Sequence, residues 1–429
     1  MITTVVALVA CSPIGSTRSA AIPLAHLARA PRVYYLTNAS GASSVTTKTA
    51  RLLVLDPDTL EVRRTVRVGA RPHHFYPVVG SRDAYISHFV GHVIEVVDVI
   101  ENRIVTRIEL PVARDRRAAT QAYIHRQHLL NGGDHAHAGG GPVHLVFSPD
   151  FAAAFSMNSL SGSVSKIDTR THTVTGTARV GSVPYFGAAN AAGTLLFVAN
   201  LGGDTVSVVD VATMRTIHEV RVGAGPMVPL LTPDQRTIAV TLTAARAVAF
   251  IDVDTLSVRG TVQLSGQVRY PDIPPRMVAS FDPSGRLWVG NERAGVFNIV
   301  DPTTMSEVAT IPAAEGADQM FFVHDGPAAG VGIGTNRYAD SVSVIDAASL
   351  DVTTLDVGGT GTHWVSLDAA GSTGYISERV TGGVTKVDLR TGSPVVVAHA
   401  NPGPAPDQAM YLWLDHDRIE VNPTSLGFG

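Results

Sequence analysis

The chain of 429 residues is 45% hydrophobic and 16% charged, with a net charge of -4. That balance excludes a disordered chain, and without a dense Lys/Arg stripe it offers nothing to nucleic acid. The single cysteine, Cys11, excludes an internal disulfide framework and a cysteine-based zinc site.

The N-terminal run Ile2–Ala10 is apolar and leads into Leu8-Val9-Ala10-Cys11. It resembles a bacterial lipoprotein signal with lipidation at the cysteine, although no Lys or Arg precedes it. Residues 1–31 are therefore expected to be an export segment and tether, and residues 32–429 one folded domain. The resemblance implies a cell-envelope protein, periplasmic or extracellular, whose membrane contact is a lipid anchor at Cys11. A buried N-terminal strand is the alternative. No run of about 18 apolar residues occurs, so no membrane-spanning helix is expected.

From residue 32 onward one pattern recurs. A strand such as Val33-Tyr34-Tyr35-Leu36-Thr37-Asn38 or Leu196-Phe197-Val198-Ala199-Asn200 is followed by a polar, glycine-rich turn. An alternating strand then ends on an aspartate, as in Val206-Ser207-Val208-Val209-Asp210. An outer strand and a Gly-Pro step follow, and a last strand runs into a Pro-Asp or Pro-Ser-Gly turn. Eight aspartates mark the repeat: Asp56, Asp98, Asp168, Asp210, Asp252, Asp301, Asp346 and Asp388. They are spaced by 42, 70, 42, 42, 49, 45 and 42 residues, the length of one propeller blade. Period-two alternation, β-branched residues and regular turn chemistry predict four-stranded antiparallel blades. No segment has a sustained helical period. The fold class is all-β.

Phrases such as "FVANLGGDTVSVVDVATMRTIHEVRVGAGP" and "GTNRYADSVSVIDAASLDVTTLDVGG" resemble the YVTN repeat of bacterial periplasmic and surface propellers, over residues 32 to 415. The resemblance implies a β-propeller and says little of function, because that architecture hosts many. The first unit lacks an inner strand, and Met410-Tyr411-Leu412-Trp413-Leu414 has no unit to follow it. Pairing the two closes a ring of eight blades and removes an exposed edge. Seven blades is the alternative.

In such a ring the loop entering each inner strand and the turn after the second strand share one face. Nine of the 16 histidines fall between His73 and His144. His73, His74, His144 and His363 lie on inner-strand entrances, while His88 and His92 lie near the neighbouring turn. The long interval after Asp98 predicts an insertion at about 111–141, carrying Asp134-His135-Ala136-His137 and a solvated Arg114, Arg116, Arg117 cluster. Circular symmetry brings His73, His144 and His363 towards one axis, with His135 and His137 as further metal candidates. If the strand has begun at His73, alternation turns His74 away from it. Neutral imidazole is the commonest transition-metal ligand, and thioethers favour reduced copper, so copper is the expected metal. Met227, Met277 and Met320 are either its neighbours or apolar channel plugs.

His74, His88, His92, Arg276, Glu292, Arg293, Arg337, Glu378 and Arg379 form the candidate ligand-binding set on that face. The pairs Glu292-Arg293 and Glu378-Arg379 read either as rim ion pairs, worth little, or as hooks for an anionic or carbonyl ligand. The main functional reading is an exported propeller that binds a small molecule or an envelope partner at this face. Copper-dependent oxidoreduction is the alternative, as in the similar channel-mouth histidines of nitrous oxide reductase and thiocyanate dehydrogenase. Haem binding, as in cytochrome-type nitrite reductases, ranks below copper here. No Cys-x-x-Cys-His is present to attach haem covalently.

Overall fold

The repeating aspartates each close an Asx turn, in which the side chain accepts backbone N–H groups two and three residues on. Asp56 accepts from Asp58 and Thr59, Asp168 from Arg170 and Thr171, Asp252 from Asp254 and Thr255, and Asp346 from Ala348 and Ser349, all at 2.7–3.1 Å. Four residues after the aspartate the backbone enters the left-handed region, at Leu60, Asn102, His172, Met214, Leu256, Met305 and Leu350, with φ between 49° and 66°. A non-glycine residue is uncommon there. The turn is held by the side-chain bonds just named and by a backbone bond, such as His172 N–H to Asp168 O at 2.9 Å.

A computed structural model describes residues 31–37, 50–88, 91–111, 141–266, 276–391, 393–403, 406–415 and 418–423. Among them are 33 β-strands and no α-helix, so no described helix can cross a membrane. The strands form eight sheets. Seven are antiparallel four-stranded blades, for example Pro72–Pro77, Asp83–His88, Val93–Asp98 and Arg103–Glu109 in the second blade. The first blade is completed from the far end of the chain. Its inner strand is Pro406–Asp415, paired with Arg32–Thr37 in the register Tyr34 to Met410 and Arg32 to Leu412. A short fifth strand, Arg418–Glu420, pairs onto it as well, which the repeat did not foretell.

The innermost strands touch their neighbours all the way round, so the ring is closed and has eight blades. Apolar residues fill the seams between blades. Tyr34, Phe75 and Met410 share one cluster with Trp364, while Val143, Tyr185, Met227 and Met277 share another. Met320 lies in a third, with Phe297 and Trp288. Residues 1–30, including Cys11, lie outside the described residues, as do His135, His137 and nearly all of the predicted insertion.

The turn chemistry has a consequence for pH. Bonds to the carboxylate hold Asp56, Asp168, Asp210, Asp252 and Asp346 below the ordinary range, mainly through N–H or hydroxyl groups of their turns. Asp388, bonded by the Arg390 side chain, is held at about 2. A group whose folded value is depressed stabilises the fold above its unfolded value and loses that contribution as pH falls. Thermal stability should therefore be flat down to about pH 5 and fall below about pH 4. Changing Asp168, Asp252 and Asp346 together to Asn keeps the turn acceptors and removes the titration. Unfolding midpoints of that variant should depend less on acid; an unchanged acid slope would refute the turns as its source.

Candidate functional site

The entrances of the innermost strands share a local irregularity. In the second blade Pro72 pairs with His88 and Phe75 with Ile86, so two residues, His73 and His74, face one on the partner strand. The same β-bulge recurs at Val143-His144, Tyr185-Phe186, Met227-Val228, Asp318-Gln319 and His363. Bulges re-aim side chains next to functional sites. Here a hydroxyl of the second strand caps the bulged N–H. His74 donates to Ser87 Oγ at 3.3 Å, Val228 to Thr241 Oγ1 at 3.1 Å, Gln319 to Thr335 Oγ1 at 3.1 Å and Trp364 to Ser377 Oγ at 3.1 Å.

Small residues let neighbouring blades close on these bulges. A Cβ on Gly141 would meet His88 O at 1.9 Å, and one on Gly290 would meet Asp318 O at 1.7 Å. Neither position tolerates a side chain without backbone movement. The outcome is a channel mouth lined by the bulged residues of six blades.

The bulge overturns the expectation that His74 turns away from His73. Ligand atoms of His73, His74 and His144 all lie within 4.8 Å of one another. Among the described residues this is the one group of three His, Cys, Asp or Glu side chains that converge so. All three are buried, at 2%, 1% and 0% exposure. Their rings meet edge-on or tilted, with centroids 4.0 Å apart for His73 and His74, 4.7 Å for His73 and His144, and 5.0 Å for His74 and His144. His363 is buried beside them, its ring centroid 6.5 Å from that of His74, and lies outside the converging trio.

Neighbours fix two of the three rings. His73 Nδ1 lies 2.7 Å from Val143 O, so it carries the proton and Nε2 carries the lone pair. His144 meets the Tyr76 hydroxyl through Nδ1 at 3.0 Å and stacks on Phe186 at 3.6 Å, which leaves its Nε2 edge to the site. The Gln408 side chain is the hydrogen-bonding neighbour of the His74 ring, and neither ring nitrogen has a partner at full hydrogen-bond geometry. Burial, and then the guanidiniums of Arg276 and Arg379, push His74 down to about 3. Burial and Arg379, Arg337 and Arg276 likewise lower His363. Both rings are neutral at pH 7, the form that ligates metals.

On the opposite side of the mouth Arg276, Glu292, Asp318 and Arg337 form a buried ionic network. Asp318 is shared: its Oδ1 lies 3.2 Å from Arg276 Nε and its Oδ2 3.2 Å from Arg337 Nη1. Glu292 accepts the Tyr338 hydroxyl at 2.8 Å and the Arg276 N–H at 3.3 Å, and lies 3.6 Å from Arg337 and 3.9 Å from Arg293. Glu292 therefore pairs with its sequence neighbour Arg293 and also with Arg337 from the next blade, from a buried position and not at the rim. Glu378 is fully buried and bonds to Thr381, Thr385 and His399, all within its own blade.

His88 has the same internal role. In three other blades an Asn ends the second strand and bonds to hydroxyls of the third, as Asn200 does to Thr205 and Ser207. In the second blade His88 takes that place, and its Nε2 lies 3.3 Å from Glu95. Burial alone would raise Glu95, but His88, the Gly69 N–H and Arg107 hold it at about 2. His92 and Arg379 are half-buried on the turns after the second strands, and Arg293 is half-buried over the Tyr338 ring at 5.7 Å. Sequence reasoning placed Gln319 at an inner-strand entrance and missed Asp318 and Tyr76. Asp318 could have been found from its bulge position, one residue into the strand entered at Ala317, whereas Tyr76 lies beyond the bulge of its strand.

These features define an eight-bladed β-propeller with a histidine-lined channel mouth. Solved structures to which the chain is similar include hydrazine synthase of Kuenenia stuttgartiensis. That likeness has 21% identity and a TM-score of 0.51 and covers 66% of this chain and 95% of that one. Another is dihydro-heme d1 dehydrogenase NirN in complex with DHE, at 15% identity and a TM-score of 0.59, covering 86% of this chain and 75% of that one. At such identities the likeness is one of fold. No family model and no curated protein matches the sequence.

Proposed function

We propose that the channel mouth binds a metal through His73, His74 and His144, within an envelope propeller of YVTN type that presents this face to its ligand. The observation that carries the reading is the convergence of three buried imidazoles whose donor atoms lie within 4.8 Å. Imidazole nitrogens on one tetrahedral ion lie about 3.3 Å apart, from metal–nitrogen bonds near 2.0 Å. The trio reaches that spacing by side-chain shifts of about an ångström. The Val143 carbonyl on His73 and the Tyr76 hydroxyl on His144 are outer partners of the kind that orient metal-binding histidines. Three imidazoles suit zinc, copper or iron equally, so the preference for copper over haem has no support in the donor set.

A second reading is an iron tetrapyrrole with one histidine as axial ligand. The structural neighbour in complex with DHE favours it, as do the guanidiniums around His363. The burial of all four imidazoles favours a bare ion, because a planar macrocycle needs the mouth to open.

Elemental analysis of protein purified without a histidine tag tests the reading. The expected result is about one transition-metal ion per chain and no intense visible band. His144→Ala should reduce metal affinity by more than the 10–100-fold that follows loss of an outer partner, and Tyr76→Phe by about that smaller factor. An intense visible absorbance would move the assignment to the tetrapyrrole. Metal-free protein that also fails to take up zinc or copper would end both.

A further inference from the structure

The imidazole trio accounts for only half of the mouth. On the side of the sixth, seventh and eighth blades two buried atoms, Arg276 Nη2 and Gln319 Oε1, make no hydrogen bond in the protein, and Arg276 Nε meets only Asp318 Oδ1, as an ion pair at 3.2 Å outside hydrogen-bond geometry. Unsatisfied buried groups are rare in native proteins, and each calls for a partner such as a water or an ion. The Arg276 side chain is 7% exposed, and its only close carboxylate, Asp318, is shared with Arg337. Glu292, the other acid here, already accepts Tyr338 and the Arg276 backbone.

Charge then decides what the region takes. Two buried guanidiniums, those of Arg276 and Arg337, share the single carboxylate of Asp318 at 3.2 Å each, and both act with Arg379 on the His363 ring. The same three guanidiniums act on Tyr185, where only Asp318 opposes them. A second cation is repelled by this field, and water does not neutralise it. Guanidinium forks fit planar oxygen pairs in particular.

We propose that Arg276, together with Arg337 and Arg379, forms a receptor for a small oxyanion or a carboxylate group beside the imidazole trio. The receptor uses residues outside the trio and operates with or without a metal. It names the charge class of the ligand that the propeller captures. Gln319, whose Nε2 lies 3.5 Å from His363 Nε2, stands between the two halves.

The test uses full-length protein stripped of metal by a chelator and titrated with acetate and, separately, inorganic phosphate. Calorimetry reads binding, as does tryptophan fluorescence, since the Trp364 ring lies 5.3 Å from that of His74. Saturable binding is expected, weakened at least about tenfold in Arg276→Gln and less in Arg276→Lys. Arg390→Gln, on an exposed turn of the other face, should bind as the wild type does. Acetate alone binding assigns a carboxylate of an organic ligand; phosphate binding as well assigns a free inorganic anion. Arg379→Gln, at a half-buried position, gives the same readout should Arg276→Gln fail to fold. The proposal is overturned if neither anion saturates the wild type, or if both variants bind as tightly as it does. Because metal content is measured separately, failure here leaves the metal reading untouched, and the reverse also holds.

Discussion

Truncation after Gly403 is expected to yield a chain with no cooperative thermal transition. The strand lost, Pro406–Asp415, is the inner strand of the first blade, and it also seals two seams. Gln408 Oε1 accepts the Phe75 N–H of the second blade at 2.8 Å, and Tyr411 N–H donates to Ser366 Oγ of the eighth at 2.8 Å. Ala409, Met410, Tyr411, Leu412, Trp413 and Leu414 are all buried. Burial of a Leu or Met side chain contributes about 1.5–3 kcal/mol, so the strand as a whole supplies more than about 10 kcal/mol. A folded domain has only about 5–15 kcal/mol to lose. Leu412→Ala alone should cost about 2–5 kcal/mol, since Leu412 has no exposure and the blade cannot collapse around the gap. Circular-dichroism melts of the truncated chain and of Leu412→Ala check both figures. A truncated chain that melts like the intact one would mean that the ring does not depend on its closing strand.

That strand was legible in the sequence, because a repeat with one strand too few at its start and one too many at its end has a single economical solution. The aspartates were legible as well. Each owes its place to a turn whose N–H groups need an acceptor, and such a requirement repeats with the blade. What the sequence hid was the bulge. Strict alternation puts His73 and His74 on opposite faces, and only the pairing of Pro72 with His88 and Phe75 with Ile86 shows that they share one. A partial signal existed in Ser87, Thr241, Thr335 and Ser377, hydroxyls one place before the end of a second strand, which cap the bulged N–H groups. The arginine network was harder still. Arg276, Asp318 and Arg337 come from three separate segments of two blades, a loop before one inner strand, an inner strand and the turn after a second strand, and their pairing depends on the absence of a side chain at Gly290.

Asp318→Ala is expected to lower stability by about 3–5 kcal/mol, the cost of leaving buried cations without their partner. The side chain has no exposure and holds Arg276 and Arg337 at 3.2 Å each. Asp318→Asn keeps an acceptor and should cost less. If Asp318 is only a structural bridge, both substitutions do no more than destabilise. If Arg276 is an anion receptor, Asp318 is also the ligand's competitor, and removing its charge should tighten acetate or phosphate binding several-fold while the fold weakens. The two effects have opposite signs, which separates the readings. A bound anion should then return part of the lost stability to Asp318→Ala, by mass action on the folded state. Urea unfolding of the wild type and both variants, with and without anion, measures all of this at once. Destabilisation that no anion relieves, joined to unchanged affinity in Asp318→Asn, would leave the guanidiniums as mere cement between the sixth and seventh blades.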